Sequence, residues 1–171
     1  EHCQQALSIQ REIGDRRGQG YSLTYLGHAL LGLGELEAAA QAYDEALQLR
    51  RELGQYSLLI DDLAGLARIA MAQGHSEQAL EQVEDILTWI ETYGSEGIEY
   101  PLQVYLTCYR VLTWSAEGDA PTVERAHAIL SQAHTALMEQ ATAISDEVLR
   151  SKFLENVKTN QEIATLWKEI S

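Results

Sequence analysis

Basic residues are scarce in this sequence. Its 171 residues include 12 Lys and Arg against 26 Asp and Glu, for a formal net charge of −14. A sequence-independent grip on DNA or RNA comes from Lys and Arg that neutralise phosphates, so this deficit argues against nucleic acid as a partner. The same sign of charge disfavours anionic membrane surfaces, and no apolar run approaches the roughly 20 residues of a membrane-spanning helix. We therefore expect a soluble, cytoplasmic chain.

Proline and cysteine are also rare. The only prolines are Pro101 and Pro121, which favours long helices over a sandwich or barrel with many strands. The two cysteines, Cys3 and Cys108, are far apart and have no CxxC spacing. That pattern fits neither a disulfide scaffold nor a zinc knuckle, and buried free thiols are the simpler interpretation. At 46% hydrophobic residues, the chain can bury a sizeable core, and we predict an all-α fold.

The acidic residues are concentrated in one stretch. Residues 35–100 hold 14 acids and 3 bases, a net charge of −11, whereas residues 146–171 hold 5 acids and 4 bases, a net charge of −1. In the helix predicted after Gly74, the acidic side chains fall largely outside the apolar stripe. We therefore predict that most of this acidity forms a solvated outer face.

The sequence repeats with a period of 40 residues, which is the strongest signal it carries. Apolar residues within each period fall at helical spacing, so each period is predicted to contain two helices. Glycines, leucines and an Ala-Leu pair recur at this spacing: Gly14, Gly54 and Gly94; Gly34 and Gly74; Leu7, Leu47 and Leu87; Ala6-Leu7 and Ala46-Leu47.

Capping residues are predicted at several helix ends. Gly34 and Gly74 are expected to close the first helix of a pair in the left-handed conformation, which glycine adopts at no steric cost. Gly14, Gly54 and Gly94 are expected to close the second helix in the same way. Ser76 is expected to be the N-cap of the helix that follows Gly74. Ser145-Asp146 and Thr159-Asn160 are predicted to cap two short helices near the end of the sequence.

The motif within the period resembles the tetratricopeptide repeat, which follows W-x2-L-G-x2-Y and then A-x3-F-x2-A. The matching residues are Leu23-x2-Leu26-Gly27-x2-Leu30 followed by Ala39-x3-Tyr43-x2-Ala46, with looser copies later in the chain. The resemblance implies antiparallel helix pairs stacked in a right-handed superhelix, a tetratricopeptide-like α-solenoid. The period of 40 exceeds the family's usual 34 and implies longer helices.

The resemblance also implies a division of the chain. Residues 1–141 hold the repeats, and residues 142–171 form C-terminal capping helices. The repeats are 1–14, the second helix of a partial unit; 17–54, repeat one; 56–94, repeat two; and 99–141, an irregular repeat three. In repeat three the turn between the two helices is stretched over 117–121. The segments 150–157 and 160–163 look like the closing part of repeat arrays at the C-terminal end of large bacterial regulators, behind a signal-transduction ATPase, a nucleotide cyclase or a transcriptional activator domain.

In this family the first helices line a concave groove, which implies a partner-binding site here. Counting from the small residue of each motif, the candidate groove residues are Tyr21, Thr24, His28 and Leu31; Asp61, Ala64, Arg68 and Met71; Leu102, Tyr105, Tyr109 and Leu112. An apolar groove with tyrosines and few charges is the composition of a protein interface. The alternative is that several of these side chains pack against the next helix or a neighbouring repeat.

Evidence for catalysis is weak. No Gly-rich loop precedes Lys-Ser or Lys-Thr, and no Gly-x-Ser-x-Gly elbow occurs. Glu124 and His127, three residues apart, form half of a di-iron motif, with His134 on the same helix, but the second half is missing. Asp61-Asp62 is a carboxylate pair in sequence, and we predict it to be a helix start because adjacent helical residues do not converge.

The expected function is therefore a non-catalytic module, without metal or cofactor, that binds a protein or peptide in the concave groove. It would be the sensor or scaffold end of a larger bacterial signalling or transcription regulator, and its own N-terminal effector domain is a possible partner. The alternatives are a peptide-pheromone receptor of the same fold and, from another class, a metal-dependent helical enzyme built on Glu124, His127 and His134.

Overall fold

The structure, a computed structural model, describes residues 2–116 and 119–171, and within these residues every regular element is an α-helix. The predicted all-α class is confirmed. The helices in chain order are α1 His2–Ile13, α2 Arg16–Leu33, α3 Leu36–Leu53, α4 Tyr56–Gln73, α5 Ser76–Tyr93, α6 Pro101–Ser115, α7 Ala120–Thr142, α8 Glu147–Asn156 and α9 Lys158–Ile170. Glu1, Glu117 and Gly118 lie outside the described residues, and so does the first part of the turn predicted at 117–121.

Glycines end the helices at regular intervals in the first half of the chain. The helices α2, α3, α4 and α5 each contain 18 residues. The glycines that follow α2, α3 and α4 are left-handed, with φ between 68° and 79°, as predicted. Each accepts this conformation because it has no Cβ, and its N–H bonds to carbonyls of the last helical turn.

Two predicted caps differ in the structure. The N-cap of α5 is His75, and Ser76 is already the first helical residue. Gly94 follows α5 with φ 77° and ψ −173°, which is not the left-handed helical conformation of the earlier glycines. The chain therefore leaves α5 in another direction, through a backbone conformation that is essentially restricted to glycine.

The chain divides into two compact units, Glu1–Glu99 and Tyr100–Ser171. In the N-terminal unit each helix from α1 to α4 packs against the one that follows it, and α2 also contacts α4. The ring of Tyr43 on α3 is fully buried between two glycines. A Cβ at Gly27 of α2 would lie 2.7 Å from this ring, and one at Gly65 of α4 only 2.3 Å. Two glycines therefore make room for the largest aromatic side chain of this core.

In the C-terminal unit, α6 packs against α7, and α9 contacts α6, α7 and α8. The predicted division between 141 and 142 falls inside this unit. Asp146 caps α8 as predicted, accepting a hydrogen bond from the Leu149 N–H at 2.9 Å. Thr159 and Asn160 do not cap α9, because that helix already begins at Lys158. Instead, both side chains join helices. The Thr159 hydroxyl donates to the Gln103 side chain on α6, and the Asn160 amide donates to the Phe153 carbonyl on α8.

Neither Cys3 nor Cys108 forms a disulfide within the described residues. Cys108 is buried, as predicted, and Cys3 is half-buried. Within residues 2–116 and 119–171, none of the helices has the length and apolarity needed to cross a membrane.

Candidate functional site

The predicted groove residues fall into two sets by burial. The side chains that remain at least partly exposed are Tyr21, His28, Leu31, Arg68 and Met71. Those that are buried are Thr24, Asp61, Ala64, Leu102, Tyr105, Tyr109 and Leu112. The side chains of the second set are withdrawn from solvent in this conformation, so their contact with a partner stays a prediction.

The exposed set and its neighbours form one surface in the N-terminal unit, which we call the α2/α4 face. It consists of Tyr21, Tyr25, His28 and Leu31 on α2, and Asp61, Arg68 and Met71 on α4. The α2 residues recur every three or four positions, and Asp61 and Arg68 are seven apart, so each set lies on one side of its helix. The two helices contact one another, which brings the two sets together.

Beneath this face lies a buried ion pair. The Nε atom of Arg50, on α3, is 2.9 Å from the Oδ2 atom of Asp62, on α4, and the two side chains are 1% and 0% exposed. Thr24 on α2 joins them: its hydroxyl lies 2.7 Å from Oδ1 of Asp62 and accepts a hydrogen bond from Nη2 of Arg50 at 2.8 Å. The Tyr21 ring covers the guanidinium at 5.2 Å from its centroid. Three helices thus share one charged cluster under an aromatic cover.

The buried Arg50 and Asp62 side chains do not regain all the interactions that they would make in water. Nη1 of Arg50 is buried and has no hydrogen-bond partner among the described residues. Burial raises the pKa of Asp62 to about 7, against the opposing effects of the Arg50 guanidinium and the Thr24 hydroxyl. The prediction that Asp61-Asp62 starts a helix is wrong, because α4 already begins at Tyr56. Both residues are buried in the interior of that helix.

A second polar contact joins α2, α3 and α4 further along the face. Nδ1 of His28 lies 2.6 Å from the Tyr43 hydroxyl and 3.3 Å from Nη2 of Arg68. A guanidinium can only donate, so Nδ1 accepts and the neutral ring carries its proton on Nε2. Burial, with the neighbouring Arg68 charge, lowers the pKa of His28 to about 4, which is consistent with a neutral ring.

The chain itself occupies part of the α2/α4 face. After α5, the non-helical segment 95–99 passes over α4 and towards α2. The backbone N–H of Glu99 donates to Oδ2 of Asp61 at 2.9 Å, and the Glu99 carboxylate accepts a hydrogen bond from the Tyr25 hydroxyl. Gly97 has φ 82°, and a Cβ there would lie 3.0 Å from Oγ of Ser57. The positive φ favours glycine at this position, and the close approach to α4 leaves little room for a Cβ.

The charges at this face depart from the acidic pattern of the sequence. Eleven of the 14 acids in residues 35–100 are exposed, so the predicted solvated face holds for most of them. The three exceptions are Asp61, Asp62 and Glu99, and all three belong to this face or lie just beneath it. The acids withdrawn from solvent are thus gathered at one place.

The residues considered for a metal site belong to the C-terminal unit. Glu124 and His127 are exposed on α7, and the His134 ring stacks on Trp167 of α9, with centroids 5.0 Å apart. No group of three or more His, Cys, Asp or Glu side chains with metal-binding geometry occurs in the part of the chain that the structure describes.

Comparison with known proteins adds no family to these observations, since neither the models of known families nor the curated proteins give a match. The fold and the face define the chain at a coarser level. It is an all-α, repeat-like array of consecutive helices whose N-terminal unit carries a polar and aromatic face.

Sequence reasoning missed Arg50, Asp62, Tyr25 and Glu99. A signal for Arg50 was present, because it follows Ala46 by four residues and Leu47 by three and therefore lies on the buried stripe of α3. A charge on such a stripe needs a buried partner. For Glu99 the only signal was Gly94 and Gly97 close together, which marks a turn but not where the chain goes afterwards.

Proposed function

We propose that this chain is a non-catalytic interaction module that binds a protein or peptide through the α2/α4 face of its N-terminal unit. The observation that carries the proposal is the Asp61 carboxylate, which accepts a hydrogen bond from the backbone N–H of Glu99. A side chain that holds non-helical backbone in this way can hold a partner's backbone by the same chemistry. Two half-exposed tyrosines, Tyr21 and Tyr25, supply the aromatic contact area typical of interfaces.

The proposal extends to fold and context. The even helix lengths and the left-handed glycines support tetratricopeptide-type helix pairs stacked in a right-handed superhelix. The resemblance of segments 150–157 and 160–163 to closing segments supports a place at the sensor or scaffold end of a bacterial signalling or transcription regulator. Binding at the face would then shift the population of conformations that an attached effector domain adopts.

Site-specific photo-crosslinking tests the binding face. A photoreactive amino acid replaces Leu31 or Met71, the half-buried residues at the far ends of the two helices, and the control replaces Gln48, which is exposed on α3. The labelled chains are irradiated in extract of the source organism. We expect one discrete crosslinked protein from the first two positions and none from Gln48. Equal crosslinking from all three positions, or none from Leu31 and Met71, would contradict the proposal.

These positions are better probes than the buried tyrosines. Tyr105 and Tyr109 are both under 10% exposed, so their truncation would leave cavities and lower stability whether or not they take part in binding. Loss of partner capture in a Tyr105→Ala variant would therefore not identify the face.

A further inference from the structure

The segment that lies on the α2/α4 face is held at two points. Asp61 accepts its backbone N–H at Glu99, and Tyr25 donates to the Glu99 side chain. Ile98, directly before Glu99, is 7% exposed. The segment thus combines one buried apolar side chain with one backbone donor and one acidic acceptor in two consecutive residues.

The backbone before these contacts is built for this path. Gly94 and Gly97 both have positive φ, at 77° and 82°. Any other residue at these positions would be strained, and at Gly97 a side chain would also crowd Ser57. The position of the segment therefore depends on specific glycines and is not an accidental contact of a loop.

The hold on Glu99 is nevertheless incomplete. Its second carboxylate oxygen, Oε2, is buried and has no hydrogen-bond partner among the described residues. A buried acceptor without a donor gives up the hydrogen bonds that it makes in water, which weakens the bound state relative to the released one. The segment is therefore held by a defined but weakened contact, which a competing ligand can displace.

We propose that Tyr25 and Asp61 form a docking site for a short partner segment in which an apolar residue precedes glutamate, and that Ile98-Glu99 occupies this site in cis until the partner displaces it. This inference rests on the proposed function, since it names the chemistry of the ligand for the same face. The internal segment is tethered to α5, so its effective concentration at the site is in the millimolar range. A free ligand must compete with this concentration, so the tethered segment raises the ligand concentration that is needed for binding.

The test uses a fluorescein-labelled peptide with the sequence of residues 94–100, Gly-Ser-Glu-Gly-Ile-Glu-Tyr, and the full chain. In the release variant, Gly97→Ala with Glu99→Ala, the internal segment loses its path and its carboxylate while Tyr25 and Asp61 stay intact. We expect fluorescence anisotropy to give a Kd at least about tenfold lower for the release variant than for the wild type. Glu96→Ala is the matched control, because Glu96 is an exposed acid of the same segment, and it should behave like the wild type.

Two further measurements test the chemistry. Tyr25→Phe in the release variant removes one hydroxyl and should weaken peptide binding by about ten- to a hundredfold, the effect of one hydrogen bond to a charged group. A peptide with alanine in place of its second glutamate should bind more weakly by at least the same factor. Equal affinity of the wild type and the release variant, or no effect of either change, would overturn the proposal.

Hydrogen exchange on the wild-type chain gives an independent answer if the release variant does not fold. Saturating peptide should speed amide exchange in residues 97–99 and leave α4 unchanged, whereas no change at 97–99 would overturn the proposal. The photo-crosslinks from Leu31 and Met71 distinguish a failure of the docking motif from a failure of the proposed function. If they persist while the peptide fails to bind, the docking motif is wrong and the binding face stands; if they are absent too, the proposed function itself fails.

Discussion

The Nε atom of Arg50 lies 2.9 Å from the Oδ2 atom of Asp62, and neither side chain reaches solvent. The pair joins α3 to α4, with Thr24 of α2 bonded to both partners. The desolvation cost of such a pair offsets most of its attraction. Replacing both residues by apolar ones therefore changes stability little, whereas removing one partner leaves an unpaired buried charge and lowers stability strongly.

The first prediction concerns this difference. Arg50→Met leaves a buried carboxyl without its cation and should lower the free energy of unfolding by about 3 to 5 kcal/mol. The double variant Arg50→Met with Asp62→Leu removes both charges and should regain most of that loss. Urea unfolding followed by circular dichroism measures both. Arg51→Met is the matched control, since Arg51 is the exposed neighbour, and a loss as large as that of Arg50→Met would refute the argument.

The second prediction concerns the pH dependence of Asp62. Burial raises its pKa from 3.8 to about 7, so the folded chain binds this proton more tightly than the unfolded chain. Its contribution to stability is complete below the unfolded pKa and is lost as the pH rises through the folded one. We therefore expect the stability advantage of the wild type over Asp62→Asn to shrink between about pH 4 and pH 8. An advantage that stays constant or grows in urea unfolding would contradict this.

The third prediction concerns His28, whose effect has the opposite sign. Burial, with the Arg68 charge beside it, lowers its pKa from 6.5 to about 4. Its contribution to stability is present above the unfolded pKa and is lost as the pH falls through the folded one. His28→Gln should therefore lose less stability than the wild type between about pH 7 and pH 4. Because Asp62 changes in the opposite direction over the same range, the comparison is best made in the Asp62→Asn background, where a steeper loss in the Gln variant would refute it.

The fourth prediction compares two glycines in helices. Gly65→Ala places a Cβ 2.3 Å from the Tyr43 ring, and it should lower the free energy of unfolding by about 1 to 3 kcal/mol, as overpacking does. Gly32→Ala is the matched control, because nothing lies within 4 Å of its Cβ. Alanine favours helix over glycine, so this control should be neutral or gain up to about 1 kcal/mol. Thermal and urea unfolding check both, and equal effects would show that contact with Tyr43 does not decide the outcome.

Much of the local architecture followed from the sequence. The apolar stripes predicted helices, and glycines at fixed intervals predicted where α2, α3 and α4 end. These predictions succeed because a helix end depends on a few neighbouring residues and because the left-handed conformation strongly favours glycine. The starts of α5 and α9 were wrong by one or two residues, since Ser and Thr are favourable but not required at an N-cap.

The candidate site could be predicted only in part. The spacing of Tyr21 and His28 on α2 placed both on one face, and Arg68 on α4 was assigned to the same surface. Whether a residue at such a position is exposed depends on what neighbouring helices and loops place over it. Thr24 is the clearest case, because it has the spacing of a groove residue but is buried against Asp62.

What the sequence determined by itself was the helical class and the positions at which the helices end, because periodicity and glycine conformation act over a few residues. Tertiary structure alone decided that Arg50 pairs with Asp62 and that Glu99 returns to Asp61, residues that are 12 and 38 positions apart. Neither contact is encoded by a local preference. Each exists because packed helices bring a desolvated charge or a backbone donor within reach of an acceptor from a distant part of the chain.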